Sequence, residues 1–386
     1  MRPWTMAPVT DPLPRRDLRR LPKTNLHLHL TGSMRPETLT ELSDRDGLPL
    51  PEPLPTGALH GWAAFQSRYD LARAALRTAG DLSRVVAEAT ADNVADGAGW
   101  VEIQVDPTTY ADRLGGLEPV VEAVLAGAAG GRTGVVLAAS WAGPPAQADR
   151  VARLAARYAG HGVVGFGLSN DERRGRIADF VPAMRTATEA GLLAVPHSGF
   201  YEPAWHVRDC VTLLGAHRVG HGLTAAGDPA TLDLLAGRAV AMEVCPSSYP
   251  PFGVTTGLAA TPLRALLTAG VPVALGTDDP LLFGTNLLDQ YVLARDVLGC
   301  TDAELATLAR SSVEASAAPP EVRATMLAGV AKWLGGMDQD SGSVCYIGAP
   351  SAKARPGVPQ GGPDRCSTRT SSTNSPTTCP SWVSRC

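Results

Sequence analysis

The sequence predicts an α/β fold, a (β/α)8 TIM-type barrel, on three observations. Eight short apolar runs alternate with longer segments of helical period. Several of those runs, 135–139 and 271–275 among them, are apolar almost throughout, as parallel strands covered on both faces are. Glycines stand where helical segments stop, at Gly191, Gly215 and Gly270, and glycine tolerates the left-handed backbone of a helix end. Strand–helix alternation specifies a closed barrel or an open doubly wound sheet, and eight repeats favour the barrel.

Taken in order, the first strand spans 25–30. The side chains of Leu26, Leu28 and Leu30 point one way and those of His27 and His29 the other. Thr31, Gly32 and Ser33 break it, and Pro36 suits the first turn of a helix. Two helices follow, 62–78 and 81–96, before the second strand. They form an insertion over the first strand's end, a natural lid. Trp62, Phe65 and Tyr69 recur there at helical spacing, as on a packed amphipathic helix. The other strands fall at 100–105, 134–139, 163–168, 192–196, 218–220, 239–244 and 271–275. The intervening helices fall at 117–126, 146–159, 177–190, 205–214, 229–235 and 262–269. Helices at 286–298, 302–317 and 320–334 close the domain.

This organisation divides the 386 residues into a Pro/Arg-rich leader (1–20), one barrel (21–335) and a tail (336–386). The tail is rich in Ser, Thr, Pro, Gly and Cys without periodic apolar pattern, and reads as disordered. Hydrophobic residues make up 44% and charged residues 19%, enough for a large core. A net charge of −4 gives no reason to expect nucleic acid or an acidic membrane as partner. No apolar run is long enough to span a bilayer, and the leader lacks a signal-peptide core, so a cytoplasmic location is expected. Cys210, Cys245 and Cys300 read as buried reduced thiols, with Cys245 a small core residue rather than a nucleophile. The other four cysteines, Cys345, Cys366, Cys379 and Cys386, crowd into the tail.

Sites on a parallel barrel gather at the C-terminal ends of the strands. His27 and His29 end the first strand, His197 the fifth, His221 the sixth, and Asp278 and Asp279 follow the eighth. Four of the chain's eight histidines therefore stand at one rim. Imidazoles two residues apart on a strand have Cα atoms about 6–7 Å apart, so both can lean toward one cation. His27, His29, His197 and Asp278 supply three imidazoles and a carboxylate, a donor set suited to one zinc ion per chain with a position left for water. Bound zinc lowers the pKa of such a water toward about 7. His221 can orient or deprotonate it, and Asp279 can hydrogen-bond a substrate. The chemistry is addition of water to an electrophilic carbon. No zinc motif of the cytidine-deaminase type is present, nor any glycine-rich phosphate loop at a strand–helix junction.

These segments carry a resemblance. His27-Leu28-His29, His197-Ser198-Gly199, Gly220-His221-Gly222, the run from Glu243 to Ser248, and Thr277-Asp278-Asp279-Pro280 resemble, in order and separation, the adenosine deaminase family of metal-dependent hydrolases. The resemblance spans 21–334. It implies zinc on His27, His29, His197 and Asp278, water activation by His221 and a purine ring nitrogen held by Asp279. The implied reaction is hydrolytic deamination at carbon 6 of adenosine or a related 6-aminopurine, and the implied partner is a small purine nucleoside. Three positions depart from the pattern. Phe200 stands where the family has the glutamate that protonates the ring, and Glu202, two residues on, is a candidate replacement. Thr31 stands where an aspartate commonly contacts the sugar. Asn170 lies in a loop, 167–172, that differs from many relatives, where its backbone can contact the purine. Phe200 keeps two further readings open: a purine binder with impaired catalysis, and a metal hydrolase of a different C–N bond.

Overall fold

The structure, a computed structural model, describes residues 15–52 and 59–336. Eight parallel strands follow one another around the sheet in chain order: β1 (Lys23–Asn25), β2 (Ala98–Val105), β3 (Thr133–Ser140), β4 (Val163–Ser169), β5 (Leu193–Ser198), β6 (Arg218–His221), β7 (Ala241–Val244) and β8 (Val273–Leu275). The expected barrel is the observed fold. Parallel neighbours need a crossover, and helices supply it, covering the outer face and burying Val101, Ile103, Val135, Leu137, Phe166 and Leu168.

The first strand is shorter than its alternation suggests. Regular pairing with β2 ends at Asn25, and the segment that follows is shared between two neighbours. Gln104 N donates to Leu28 O at 2.8 Å, and Leu30 N to Gln104 O at 3.0 Å. On the other side His29 N donates to Asp278 O at 3.1 Å, while Thr277 and Asp278 N donate to His27 O at 3.1 and 2.9 Å. The stretch 27–29 thus draws β2 and the end of β8 together at the mouth. Alternation survives because side chains still point alternately in and out, with Leu26, Leu28 and Leu30 buried.

Two other strands start late for local reasons. Ala239 takes φ 51°, a left-handed residue that delays β7 to Ala241. Pro272 lacks an N–H, and β8 begins after it. The helices lie where periodicity puts them. The helix Pro36–Asp46 begins on its proline, the lid helices span Gly61–Ala74 and Ala79–Ala95, and Leu287–Asp296, Asp302–Glu314 and Pro320–Gly335 end the barrel. Gly191, Gly215 and Gly270 all take positive φ. Two four-residue helices, Ala111–Leu114 and Pro280–Phe283, were too short to leave a periodic signal.

The described part of the leader is continuous with the barrel: Leu18 is buried, and Trp333 Nε1 donates to Asp17 O at 2.8 Å. The tail beyond Gly336, with its four cysteines, lies outside the described residues. Among the described residues no helix is long and apolar enough to cross a membrane.

Candidate active site

The rim of the barrel brings together side chains that lie far apart in the chain. His27 and His29 come from the segment after β1, His197 from the end of β5, His221 from the end of β6, and Asp278 and Asp279 from the turn after β8. The His27 ring centroid lies 5.2, 4.5 and 4.6 Å from those of His29, His197 and His221. His29 Nε2 is 3.3 Å from His197 Nε2 and 3.3 Å from Asp278 Oδ1, and His27 Nε2 is 3.6 Å from the same oxygen. His221 and Asp278 take φ of 68° and 59°, left-handed conformations that cost a non-glycine residue about 1–3 kcal/mol and aim side chains where regular backbone would not.

These atoms suit a divalent cation. One ring nitrogen from each of His27, His29 and His197 lies within 4.8 Å of the others. His27 Nε2 is buried without a hydrogen-bond partner, an orphaned acceptor in the middle of the cluster. Its other nitrogen, Nδ1, lies 2.8 Å from Glu243 Oε2. Donation of that N–H to the carboxylate selects the tautomer whose Nε2 lone pair faces the cluster. Three imidazoles and one carboxylate are zinc-type donors.

Glu243 belongs to a chain of buried charges inside the barrel. Arg218 Nε donates to Glu243 Oε1 at 2.6 Å, and Arg218 Nη2 donates to Glu102 Oε2. Glu102 Oε1 accepts from Trp100 Nε1 and Ala317 N. Desolvation would raise the Glu243 carboxyl, but Arg218 and His27 hold it below its ordinary range. Sequence reasoning passed over Glu102, Arg218 and Glu243 as site residues. The signal was there: each is a charged residue within an otherwise buried strand.

Above the cluster lies a cavity of about 300 Å³. His29, His197, His221, Asp278 and Asp279 form its floor. Burial, then the neighbouring His27, push the His221 imidazole down to about 3, leaving a neutral ring. Burial and the adjacent Asp278 push the Asp279 carboxyl well up, and Asp279 Oδ1 has no partner. Trp62, Phe65 and Tyr69 of the lid helix are packed as their spacing suggests, and they also wall the cavity. Phe65 stacks on Phe283 at 5.8 Å and meets Phe252 edge-on at 4.9 Å.

The remaining candidates divide. Asn170 lines the cavity with φ 73°. Thr31 is buried behind it, its hydroxyl 2.6 Å from that of Tyr110, and Tyr110 is the one that faces the cavity. Phe200 is in the wall, its ring 4.6 Å from that of His221. Glu202 is not among the lining residues. Another carboxylate is, Glu172 from the loop after β4, which the sequence reading left without a role. Cys245 is fully buried and desolvation pushes its thiol well up, as suits a core residue.

The fold is thus a (β/α)8 barrel with a cluster of metal-type side chains at its mouth. The family model described as adenosine deaminase matches residues 22–333. A Streptomyces virginiae protein provisionally named adenosine/adenine deaminase is 52% identical over 335 residues, covering 83% of this chain and 99% of its own. An adenine deaminase of Rhizobium leguminosarum is 32% identical, covering 80% of this chain and 98% of its own. The crystal structure of an adenine deaminase from Arthrobacter aurescens superposes with a TM-score of 0.73 at 28% identity, covering 81% of this chain and 99% of that one. The chain belongs to the adenosine deaminase family, and is an aminohydrolase.

Proposed function

We propose that this aminohydrolase is a zinc enzyme that deaminates adenine or adenosine at carbon 6, giving the 6-oxo purine and ammonia. One observation carries the reading: His27, His29, His197 and Asp278, distant in the chain, converge with His27 Nε2 left unpartnered. We assign one ion per chain to these four residues. When bound, the ion acidifies the attacking water.

The remaining steps belong to the chain's own side chains. His221, neutral and beside the cluster, takes a proton from the attacking water. Asp279, its carboxyl pushed up by burial and Asp278 and its Oδ1 without a partner, holds a purine ring nitrogen by a hydrogen bond. Asn170 contacts the purine edge, and the aromatic wall stacks on the base and excludes water. The named relatives from Rhizobium leguminosarum and Arthrobacter aurescens support the free base as a substrate. So does the Thr31 hydroxyl, which is committed to Tyr110 rather than open to a sugar. We place the enzyme in the cytoplasm, in keeping with the buried, unpaired Cys210, Cys245 and Cys300.

The test is ultraviolet loss of the 6-amino chromophore with adenine and with adenosine, before and after exhaustive chelation. Turnover is expected to vanish on chelation and return with one equivalent of zinc. Turnover that survives complete metal removal overturns the assignment.

A further inference from the structure

Deamination of a purine needs an acid as well as a base. Water adds at carbon 6 only as the ring nitrogen beside it gains a proton, and Phe200 supplies none. We propose that Glu172 is that acid, delivering its Oε2 proton to the ring nitrogen. The inference rests on the deaminase reading above.

Three observations support it. Glu172 lines the same cavity as His197, His221 and Asp279. Its Oε1 accepts two backbone N–H groups, from Tyr201 and Glu202, each at 2.6 Å. Its Oε2 is buried with no hydrogen-bond partner. When protonated on Oε2, a carboxyl held this way has its other oxygen saturated by the two N–H groups and a hydroxyl left to donate. Burial raises the Glu172 carboxyl above its ordinary value, against the lowering effect of the backbone N–H groups of residues 200–202. Those donors come from the loop that carries Phe200, so the carboxyl is anchored where that side chain takes root. Glu202 contributes only its backbone N–H there.

The protons balance. Glu172 Oε2–H protonates the ring nitrogen while His221 takes one proton from the water whose oxygen bonds to carbon 6. His221 returns its proton to the amino group as the C–N bond breaks, and ammonia leaves. The hydroxyl proton on carbon 6 passes to the Glu172 carboxylate as the C=O bond forms. The product keeps the donated proton on its ring nitrogen, and both side chains are restored.

A purely structural Glu172 would only tie the 200–202 loop, and Glu172→Gln separates the roles because its amide oxygen still accepts both N–H groups. We expect kcat to fall about 10²–10⁴-fold, the range a positioned acid supplies. KM, melting temperature and zinc stoichiometry should stay near wild type, and adding Phe200→Glu to the variant should recover activity. Phe200→Glu alone, which does not depend on how the glutamine variant folds, should raise kcat by less than about tenfold because an acid is already present. A Glu172→Gln enzyme with more than a tenth of wild-type kcat overturns the assignment, as does a hundredfold gain from Phe200→Glu alone. A wild-type enzyme inert toward adenine and adenosine is a different result, and it overturns the deaminase reading itself.

Discussion

Gly32 and Gly220 show how little room surrounds the cavity floor. A Cβ on Gly220 would lie 2.9 Å from His27 Cε1 and 3.1 Å from His197 Cγ, and one on Gly32 would lie 1.8 Å from Asp279 Oδ1. Real side chains cannot share that space, so an added methyl group must move the neighbour. The two positions separate metal from substrate. Gly32→Ala should displace Asp279 alone, leaving zinc content intact while kcat/KM falls at least about tenfold, the scale of one lost hydrogen bond to a buried or charged group. Elemental analysis alongside kinetics checks this, and loss of zinc from Gly32→Ala would contradict the division of roles. At this scale the residues that gather at the rim were legible, because His27, His29, His197, His221, Asp278 and Asp279 each stand at or just past the end of a strand. The contacts of Glu243 and Glu172 were not, since what a carboxylate touches depends on partners more than 25 residues away.

Among the elements, the lid depends on how its second helix begins. Thr78 Oγ1 accepts from Asp81 N at 3.1 Å, and Asp81 Oδ2 accepts from Thr78 N at 2.9 Å, a reciprocal cap. Arg45, at the end of the helix Pro36–Asp46, adds a guanidinium 2.7 Å from Asp81 Oδ1. Desolvation would raise the Asp81 carboxyl, but Arg45 and the N–H groups of Arg77 and Thr78 hold it at about 2. The unfolded chain binds this proton near pH 3.9, so the stabilisation is fully present above that value and disappears as pH falls toward 2. Asp81→Ala should therefore cost about 1 kcal/mol at neutral pH, the usual worth of a cap. Solvent screening keeps the Arg45 share of that cost small. The melting-temperature gap from the parent should close between about pH 4 and pH 2, and a gap constant with pH contradicts the account. Helices such as this one were legible from period and caps. The first strand was not, because a segment shared between two neighbours bonds differently from one in a ladder.

Across the whole molecule, the charged line His27–Glu243–Arg218–Glu102 joins the rim to the barrel's interior. Arg218 and both carboxylates are at most 1% exposed. Removing the cation leaves two buried carboxylates without their shared counter-charge, a loss of the kind that costs about 3–5 kcal/mol. Arg218→Met should lower the urea midpoint accordingly and weaken zinc retention through His27. A variant of unchanged stability would mean that water or a neighbouring proton replaces the arginine. The barrel is also closed by its own site: the backbone of residues 27–29 meets Thr277 and Asp278, so the residues that offer the donors seal the sheet.

The sequence by itself determined the barrel and which polar residues gather at its mouth. Both are written in local terms: hydrophobic period, glycine stops, and polar residues where each strand ends. Only the tertiary structure decided which carboxylate orients His27, that Thr31 is spent on Tyr110, that Trp62, Phe65 and Tyr69 wall the cavity, and that Glu172 rather than Glu202 faces it. Those facts are distances between side chains far apart along the chain. No period encodes them, because they arise only when eight strands curl into one ring.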